Sequence, residues 1–344
     1  MRRISDSVTW RLARRAKRSR TIALARHVAF YFDDRYGDVY VQPLARDRRE
    51  QVERPFGIYN IELTNHCPFA CVMCPRTNNM TRPLGSMSFE LFKKVVDEYV
   101  ASGSAQARHR RLWLHGFGES LLHPGAAEFI RYASDRGTRP CLSVNPLLLT
   151  ENLSVGLLEA RPDALHISLD GHDDRSFAAI RGLTNVYERS RVRLLEFLDV
   201  KRRGSYSTRV VLSMINFPLN RPSIKRRIRE WRATPGIDEV SAKRFTGWDG
   251  SAKDVNALAP RPNPARDRTK PVLCGLPWRT MTVLWNGDVV PCSLDFDSKV
   301  VLGNVASQTL TEIWNGQPML ALRRDLISGE VENPLCKDCW ELRG

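Results

Sequence analysis

From residue 57 onward the apolar residues of this chain follow two alternating rhythms. Short runs dominated by apolar residues, at 57–64, 111–115, 139–144, 164–169, 208–215 and 237–244, read as strands. Between them lie stretches with apolar positions three and four apart, at 88–101, 124–136, 150–160, 173–180, 185–202 and 221–233, which read as helices. Six strand-then-helix units predict an α/β fold with a parallel sheet and right-handed crossovers. The alternation alone leaves a partial barrel and an open doubly wound sheet equally open.

The two ends follow other patterns. In residues 1–53, Trp10, Leu12, Ala13, Ala16, Ile22, Leu24, Ala25, Val28, Ala29 and Phe32 recur at roughly helical spacing among arginines. They predict one or two basic amphipathic helices ending near Gly37. Residues 54–247 hold the six units. Residues 248–272 are rich in Gly, Pro, Asp and Ala and read as a linker or active-site loop, with Trp248 either packed or offered to a substrate. In 273–344, Asn286-Gly287 between apolar runs predicts a hairpin, and 309–327 has a helical pattern.

Composition adds bounds. The 344 residues suffice for one large domain and a small one. Hydrophobic content of 42% and charged content of 26% are those of a globular protein. No apolar run approaches the roughly 20 residues of a membrane span, and the basic N-terminus lacks the apolar core of a secretory signal. A cytoplasmic location is the expectation. Net charge is +15, and residues 1–32 carry nine Lys/Arg against Asp6 alone. Such charge attracts polyanions. No nucleic-acid-binding motif accompanies it, so nucleic acid is not an expected partner. The segment allows contact with a membrane surface.

Candidate chemistry lies in the cysteines. Cys67, Cys71 and Cys74 form CxxxCxxC on the loop leaving the first predicted strand. That is one thiol short of the four that hold an iron–sulfur cube, and an iron without a protein ligand is open to chemistry. Cys274, Cys292, Cys336 and Cys339 form a second set, enough for one fully ligated cluster. Zinc is the alternative at either set.

CxxxCxxC resembles the signature of the radical S-adenosylmethionine (SAM) enzymes, and the second set resembles the C-terminal SPASM extension, or its reduced "twitch" form. The two resemblances together span roughly 57–340. They imply a partial (β/α)6 radical SAM barrel with a small C-terminal SPASM/twitch α+β domain. They also imply a [4Fe-4S] cluster with an open site for SAM, and one auxiliary [4Fe-4S] cluster. His115-Gly116-Phe117-Gly118-Glu119-Ser120 is similar to the family's Gly-Gly-Glu-Pro motif, which implies that Gly118 and Glu119 hold the SAM amino group. Asn145, before Pro146, stands where the family has Thr-Asn-Gly. Ser168 and Asp170 fall where members contact the SAM ribose or carboxylate, and Met73 where the backbone meets adenine. Arg181-Gly182 is family-like too.

In this family SAM yields a 5′-deoxyadenosyl radical that takes a hydrogen atom from substrate, with an external reductant of flavodoxin or ferredoxin type. A fully ligated second cluster can accept an electron but cannot bind substrate. The one-auxiliary-cluster layout is similar to that of aminocyclitol dehydrogenases of antibiotic biosynthesis. It implies oxidation of a secondary alcohol in a small, carbohydrate-like molecule of secondary metabolism. Epimerisation is the runner-up and needs a hydrogen donor. Cys141, the one cysteine outside both sets, is expected at the start of the third strand, roughly 13 Å below the catalytic rim. Peptide modification is a further alternative, disfavoured by an N-terminal extension short for a peptide-binding domain. A basic zinc-binding module is the non-enzyme alternative. His115, Lys243 and Arg244, near strand ends, are candidate bases for the hydroxyl proton.

Overall fold

A computed structural model describes residues 50–53, 55–259, 274–329 and 331–340. The predicted N-terminal helices and residues 260–272 of the expected linker lie outside the described residues.

In chain order the elements are β1 (Gly57–Ile61), α1 (Phe89–Ala101), α2 (Ala105–His109), β2 (Arg111–Trp113), α3 (Ala126–Asp135), β3 (Arg139–Val144), α4 (Glu151–Glu159) and β4 (Ala164–Ser168). Then come α5 (Asp174–Arg181), α6 (Tyr187–Arg203), β5 (Arg209–Asn216), α7 (Arg221–Arg232), β6 (Glu239–Arg244) and α8 (Lys253–Asn256). The C-terminal part adds β7 (Thr280–Val283), β8 (Asp288–Val290), β9 (Gly303–Asn304), α9 (Leu310–Trp314) and α10 (Gln317–Ser328).

Local chemistry explains the boundaries. Ser88 and Thr150 accept amide hydrogens at the starts of α1 and α4, and Asp173 with Ser176 forms a reciprocal cap on α5. The stretch 309–327, expected as one helix, divides into α9 and α10. Asn315 ends the first, and Gly316 followed by Pro318 starts the second.

The strand order is β6-β5-β4-β3-β2-β1-β7-β8-β9 in one sheet, and β1 to β6 pair in sequence, all parallel. A doubly wound sheet reverses its order at a switch point. Within β1 to β6 no reversal occurs, as in barrel-type winding; the order reverses only at β1, where β7 joins its other edge. β7 pairs parallel with β1, from Gly57 opposite Thr280 to Ile61 opposite Val283, and β8 and β9 continue antiparallel. The C-terminal cysteine region therefore extends the barrel's own sheet.

Side-chain alternation gives this sheet two unlike faces. Leu142, Val144, Leu165, Ile167, Val210, Leu212 and Met214 share one apolar core with Phe129, Leu157, Phe177, Leu194, Phe197 and Trp231 of the helices. The opposite, inner face carries Trp113, Cys141, Ser143, His166, Ser168, Ser213, Ser241 and Lys243, with Ser143 opposite His166, and Ser168 opposite Ser213 opposite Ser241. Ion pairs stand at the N-terminal ends of these strands. Arg111 and Arg139 both bond Asp163, at 2.7 and 2.9 Å, and Arg209 bonds Glu239 at 2.6 Å. The C-terminal ends, where barrel sites form, carry the motifs. Among the described residues no helix is long and apolar enough to cross a membrane.

Candidate active site

The loop leaving β1 carries the first thiols. Cys71 is buried, Cys67 and Cys74 are half-buried, and all three are free. Burial pushes Cys67 up to about 11, with Glu119 and Cys71 adding to it. Burial, then Cys71, pushes Cys74 up to about 12, with a smaller push from Cys67. The three thiols thus feel one another. The Arg76 guanidinium bonds the carbonyls of Cys67 and Phe69, at 3.2 and 2.8 Å. The end of α5 grips the loop from the other side: Ala70 and Val72 amides donate to the carbonyls of Arg181 and Ile180, and Arg181 reaches Cys71 Sγ at 3.6 Å.

The turn after β2 lies directly on this loop. A Cβ at Gly118 would stand 2.1 Å from the Thr64 carbonyl oxygen, so only glycine permits the approach. The Glu119 amide donates to the His66 carbonyl at 2.8 Å. Its buried carboxylate accepts from the amides of Asn145, at 2.8 Å, and Leu121, at 3.3 Å. Burial outweighs these bonds and raises its pKa to about 7. Glu119 and Asn145, from the ends of β2 and β3, therefore meet, and Asn145 Nδ2 has no partner among the described residues.

Ser168 Oγ lies 3.4 Å from Ser143 Oγ. Asp170 is wholly buried and already engaged. It accepts from the Ile215 amide at 2.7 Å and Asn220 Nδ2 at 2.6 Å, and it pairs with Arg181. The Met73 carbonyl is also engaged, by the indole of Trp248 at 2.9 Å.

Of the three candidate bases, the structure brings two to the inner face. Burial and then Lys243 lower the pKa of His115 to about 4, and its Nδ1 has no partner among the described residues. Burial lowers Lys243 to about 8, with Asp170 opposing and Arg181 assisting. Arg244 is exposed and alternates to the other side of β6. Cys141 is third in β3 rather than first, wholly buried, on the same face as Ser143, and its pKa is pushed well above the thiol range by burial.

The second thiol set assembles from distant positions. Cys292 follows β8, while Cys336 and Cys339 sit in the turn after α10, where Asn333 caps the Cys336 amide at 2.9 Å. Burial raises Cys292 and Cys336 well above the thiol range, and both feel Cys274 and Cys339. Among the described residues no three His, Cys, Asp or Glu side chains converge as a single-ion site. A small cavity, about 10 Å³ and room for roughly one water, lies between Asn60, Glu62 and Phe117 of the barrel and Thr282, Cys292 and Asp295 of the second region.

Several polar residues of the site escaped the sequence reading. Glu62 is wholly buried, held by Arg82 through two bonds of 2.7 and 2.6 Å, and accepts the Phe117 amide at 3.1 Å. Its signal was an acid at the end of an apolar strand. His166, with both ring nitrogens unpartnered among the described residues, is lowered to about 2 by burial and then Lys243. Its signal was a polar position alternating with Leu165 and Ile167. Asn220, which fixes Asp170, had none.

The radical SAM superfamily matches residues 61–228, and the iron–sulfur cluster-binding domain SPASM matches 274–340. The chain is 28% identical over 145 residues to the AdoMet-dependent heme synthase of Methanosarcina barkeri, a match covering 42% of this chain and 39% of that relative. It is 21% identical over 291 residues to the S-adenosyl-L-methionine-dependent 2-deoxy-scyllo-inosamine dehydrogenase of Niallia circulans, covering 84% of this chain and 94% of the relative. Among solved structures, BtrN in complex with AdoMet and 2-DOIA aligns with a TM-score of 0.52 at 20% identity, covering 83% of this chain and 92% of that one. Streptococcus suis SuiB bound to S-adenosylmethionine aligns with a TM-score of 0.58 at 14% identity, covering 84% and 72%. At these identities the structural likeness establishes the fold.

Proposed function

We propose that this chain, which belongs to the radical SAM superfamily and carries a C-terminal SPASM iron–sulfur domain, oxidises a secondary alcohol of a small sugar or aminocyclitol to a ketone. The observation that carries the reading is the inner face of the sheet. Its serines, histidines and lysine line the barrel where a packed barrel has branched apolar side chains, and His115, His166 and Ser213 hold polar atoms without partners among the described residues. Such a surface suits a compact molecule rich in hydroxyl groups. The inosamine dehydrogenase relative, matched over nearly its whole length, supports the same substrate class.

The donor sets fit the groups this family implies. Cys67, Cys71 and Cys74 would hold a [4Fe-4S] cluster with one open iron, and Cys274, Cys292, Cys336 and Cys339 a second with none open. Buried thiols with raised pKa values keep their protons until a metal displaces them. Glu119, the unpartnered amide of Asn145, Ser168 and the backbone at Gly118 would hold SAM. Met73 and Asp170, whose polar atoms serve Trp248, Arg181 and Asn220, shape that site. When bound, these groups supply a radical that takes a hydrogen atom and an acceptor for one electron.

An alcohol becomes a ketone by losing a hydrogen atom from carbon, a proton from oxygen and one electron. Lys243 takes the proton. Its pKa of about 8 lies nearer the working range than that of His115, about 4, which favours it as base. His115, kept neutral, orients the hydroxyl. A flavodoxin- or ferredoxin-type protein supplies the priming electron, and a reducing, cytoplasmic compartment keeps the thiols free.

Anaerobic reconstitution tests the reading. It predicts about eight irons per chain, about four in a Cys336→Ala/Cys339→Ala variant, and one ketone per 5′-deoxyadenosine on a sugar or aminocyclitol. Deuterium taken from heavy water into an inverted product would instead mark an epimerase, with the Cys141 thiol as donor. Zinc in place of iron, with no 5′-deoxyadenosine, would overturn the reading.

A further inference from the structure

Trp248, on the segment leaving β6, touches both thiol sets. Its indole Nε1 donates to the Met73 carbonyl, one residue before Cys74, at 2.9 Å. Its own carbonyl accepts the amide of Trp340, one residue after Cys339, at 3.2 Å, and Cys339 Sγ lies 4.0 Å from the same oxygen. Its ring packs on Phe117, beside Gly118 and Glu119, with centroids 5.0 Å apart and planes at 53°. The path from Cys74 to Cys339 through this residue crosses only two hydrogen bonds.

The segment has no slack. Trp248 holds φ at +58°, a region that L-residues with bulky side chains avoid. Such a conformation persists only where the surroundings enforce it. A Cβ on the preceding Gly247 would stand 2.2 Å from the Trp340 ring and 2.3 Å from Asn256 Oδ1. Lys299 bonds Asp249 at 2.6 Å. Asp254 accepts from Asn78 and Asn79, at 3.1 and 2.9 Å, just beyond the first thiol loop. The segment is therefore tied to both cysteine regions at several points.

We infer that Trp248 is a positioning residue that couples the two thiol sets, so that the group held by Cys274, Cys292, Cys336 and Cys339 tunes the reduction potential of the group held by Cys67, Cys71 and Cys74. The inference rests on the two-cluster reading above. Hydrogen bonds and local dipoles set the potential of an iron–sulfur group. A change at the Cys336–Cys339 turn moves the Trp340 amide. The indole, rigid and fixed at its other end, carries that movement to the Met73 carbonyl, whose dipole lies beside the first site.

A double-mutant cycle read on the first cluster tests this. The midpoint potential is measured by electron paramagnetic resonance on the reconstituted full chain, without SAM. Four forms are compared: the natural sequence, Cys336→Ala/Cys339→Ala, Trp248→Phe and their combination. With Trp248 present, loss of the second cluster changes the reduced-to-oxidised ratio of the first by about tenfold, or ~59 mV for one electron. With Trp248→Phe, which keeps a ring but no N–H, the same loss changes it less than about twofold, or ~18 mV. Trp248→His retains a ring donor and tolerates the left-handed backbone, and it keeps the coupling. Equal changes with and without Trp248 overturn the inference. If Trp248→Phe does not load iron, Trp248→Met carries the same cycle. Iron counts separate the failures: a natural chain holding iron at the first set alone sinks the two-cluster reading and this inference with it.

Discussion

Along β3, β4 and β5 the residues facing the helices are Leu142, Val144, Leu165, Ile167, Val210, Leu212 and Met214, none more than 1% exposed. On the other side of the same three strands stand Cys141, Ser143, His166, Ser168, Val211 and Ser213. One set is close-packed hydrocarbon, which lowers the free energy of the fold by roughly 25 cal/mol per Å² buried. The other leaves the ring nitrogens of His166 and the hydroxyl of Ser213 without partners among the described residues, which costs about 1–3 kcal/mol for each buried group. A sheet built for stability alone would not carry such a face. The outer face holds the strands in register, and the inner face carries polar groups that packing alone does not call for.

The largest expected effect strikes the inner rim and leaves the outer face intact. Replacing Cys67, Cys71 and Cys74 together by alanine removes SAM cleavage, while far-ultraviolet circular dichroism stays that of the natural chain. Cleavage that survives would separate the thiols from the chemistry.

Lys243→Met comes next. Ketone formation should fall roughly 10²–10⁴-fold, while 5′-deoxyadenosine still forms. In the natural chain, ketone formation should rise with pH through about 8, as the Lys243 amine loses its proton. The same lysine weakens the fold. Burial lowers its folded pKa to about 8 from 10.5, so the penalty is full below pH 8. It is relieved as pH rises from 8 to 10.5, where the unfolded chain binds the extra proton. Lys243→Met should therefore raise stability at pH 7 by on the order of 1–3 kcal/mol in denaturant titrations. A variant both inactive and less stable would assign Lys243 to structure.

Breaking the Glu62–Arg82 pair probes the seam between the barrel and the second region. Arg82→Met leaves a buried carboxylate uncompensated and should cost about 3–5 kcal/mol in urea unfolding. A cost below about 1 kcal/mol, the range of exposed pairs, would show that water reaches Glu62.

The smallest pair of effects sharpens the contrast between the faces. Leu165→Ala on the outer face should cost about 2–5 kcal/mol. Ser213→Ala, on the inner face three positions along β5 from the residue opposite Leu165, should be neutral or stabilising, because it removes a buried hydroxyl that has no partner among the described residues. Equal costs would contradict the division of the sheet.

Much of this was legible in the sequence, for physical reasons that also mark the limit. β3 and β5 announced themselves because apolar alternation is a local property: predicted 139–144 and 208–215 became Arg139–Val144 and Arg209–Asn216. The CxxxCxxC and CxxC spacings stood out in the sequence because each lies within a few residues of chain. Cys274, far from them in sequence, lies near enough to Cys292 and Cys336 to raise both thiols. The break at Gly316–Pro318 was written in the chain and was overridden by the apolar rhythm around it. Pairing of β7 with β1 joins residues more than two hundred positions apart, and no local pattern encodes it. Glu62 with Arg82, Asp170 with Asn220 and Trp248 with Met73 escaped for the same reason. Each residue looks ordinary until the fold supplies its partner.

The most direct test of the central claim follows one hydrogen atom. The chain, reconstituted anaerobically and reduced, is given a sugar or aminocyclitol that it oxidises, carrying deuterium at the carbinol carbon. Deuterium is expected in 5′-deoxyadenosine, one per ketone formed. Ketone formed without deuterium in 5′-deoxyadenosine, or with the deuterium released to water, would contradict hydrogen-atom abstraction at that carbon and with it the reading of the inner face as a site for radical oxidation.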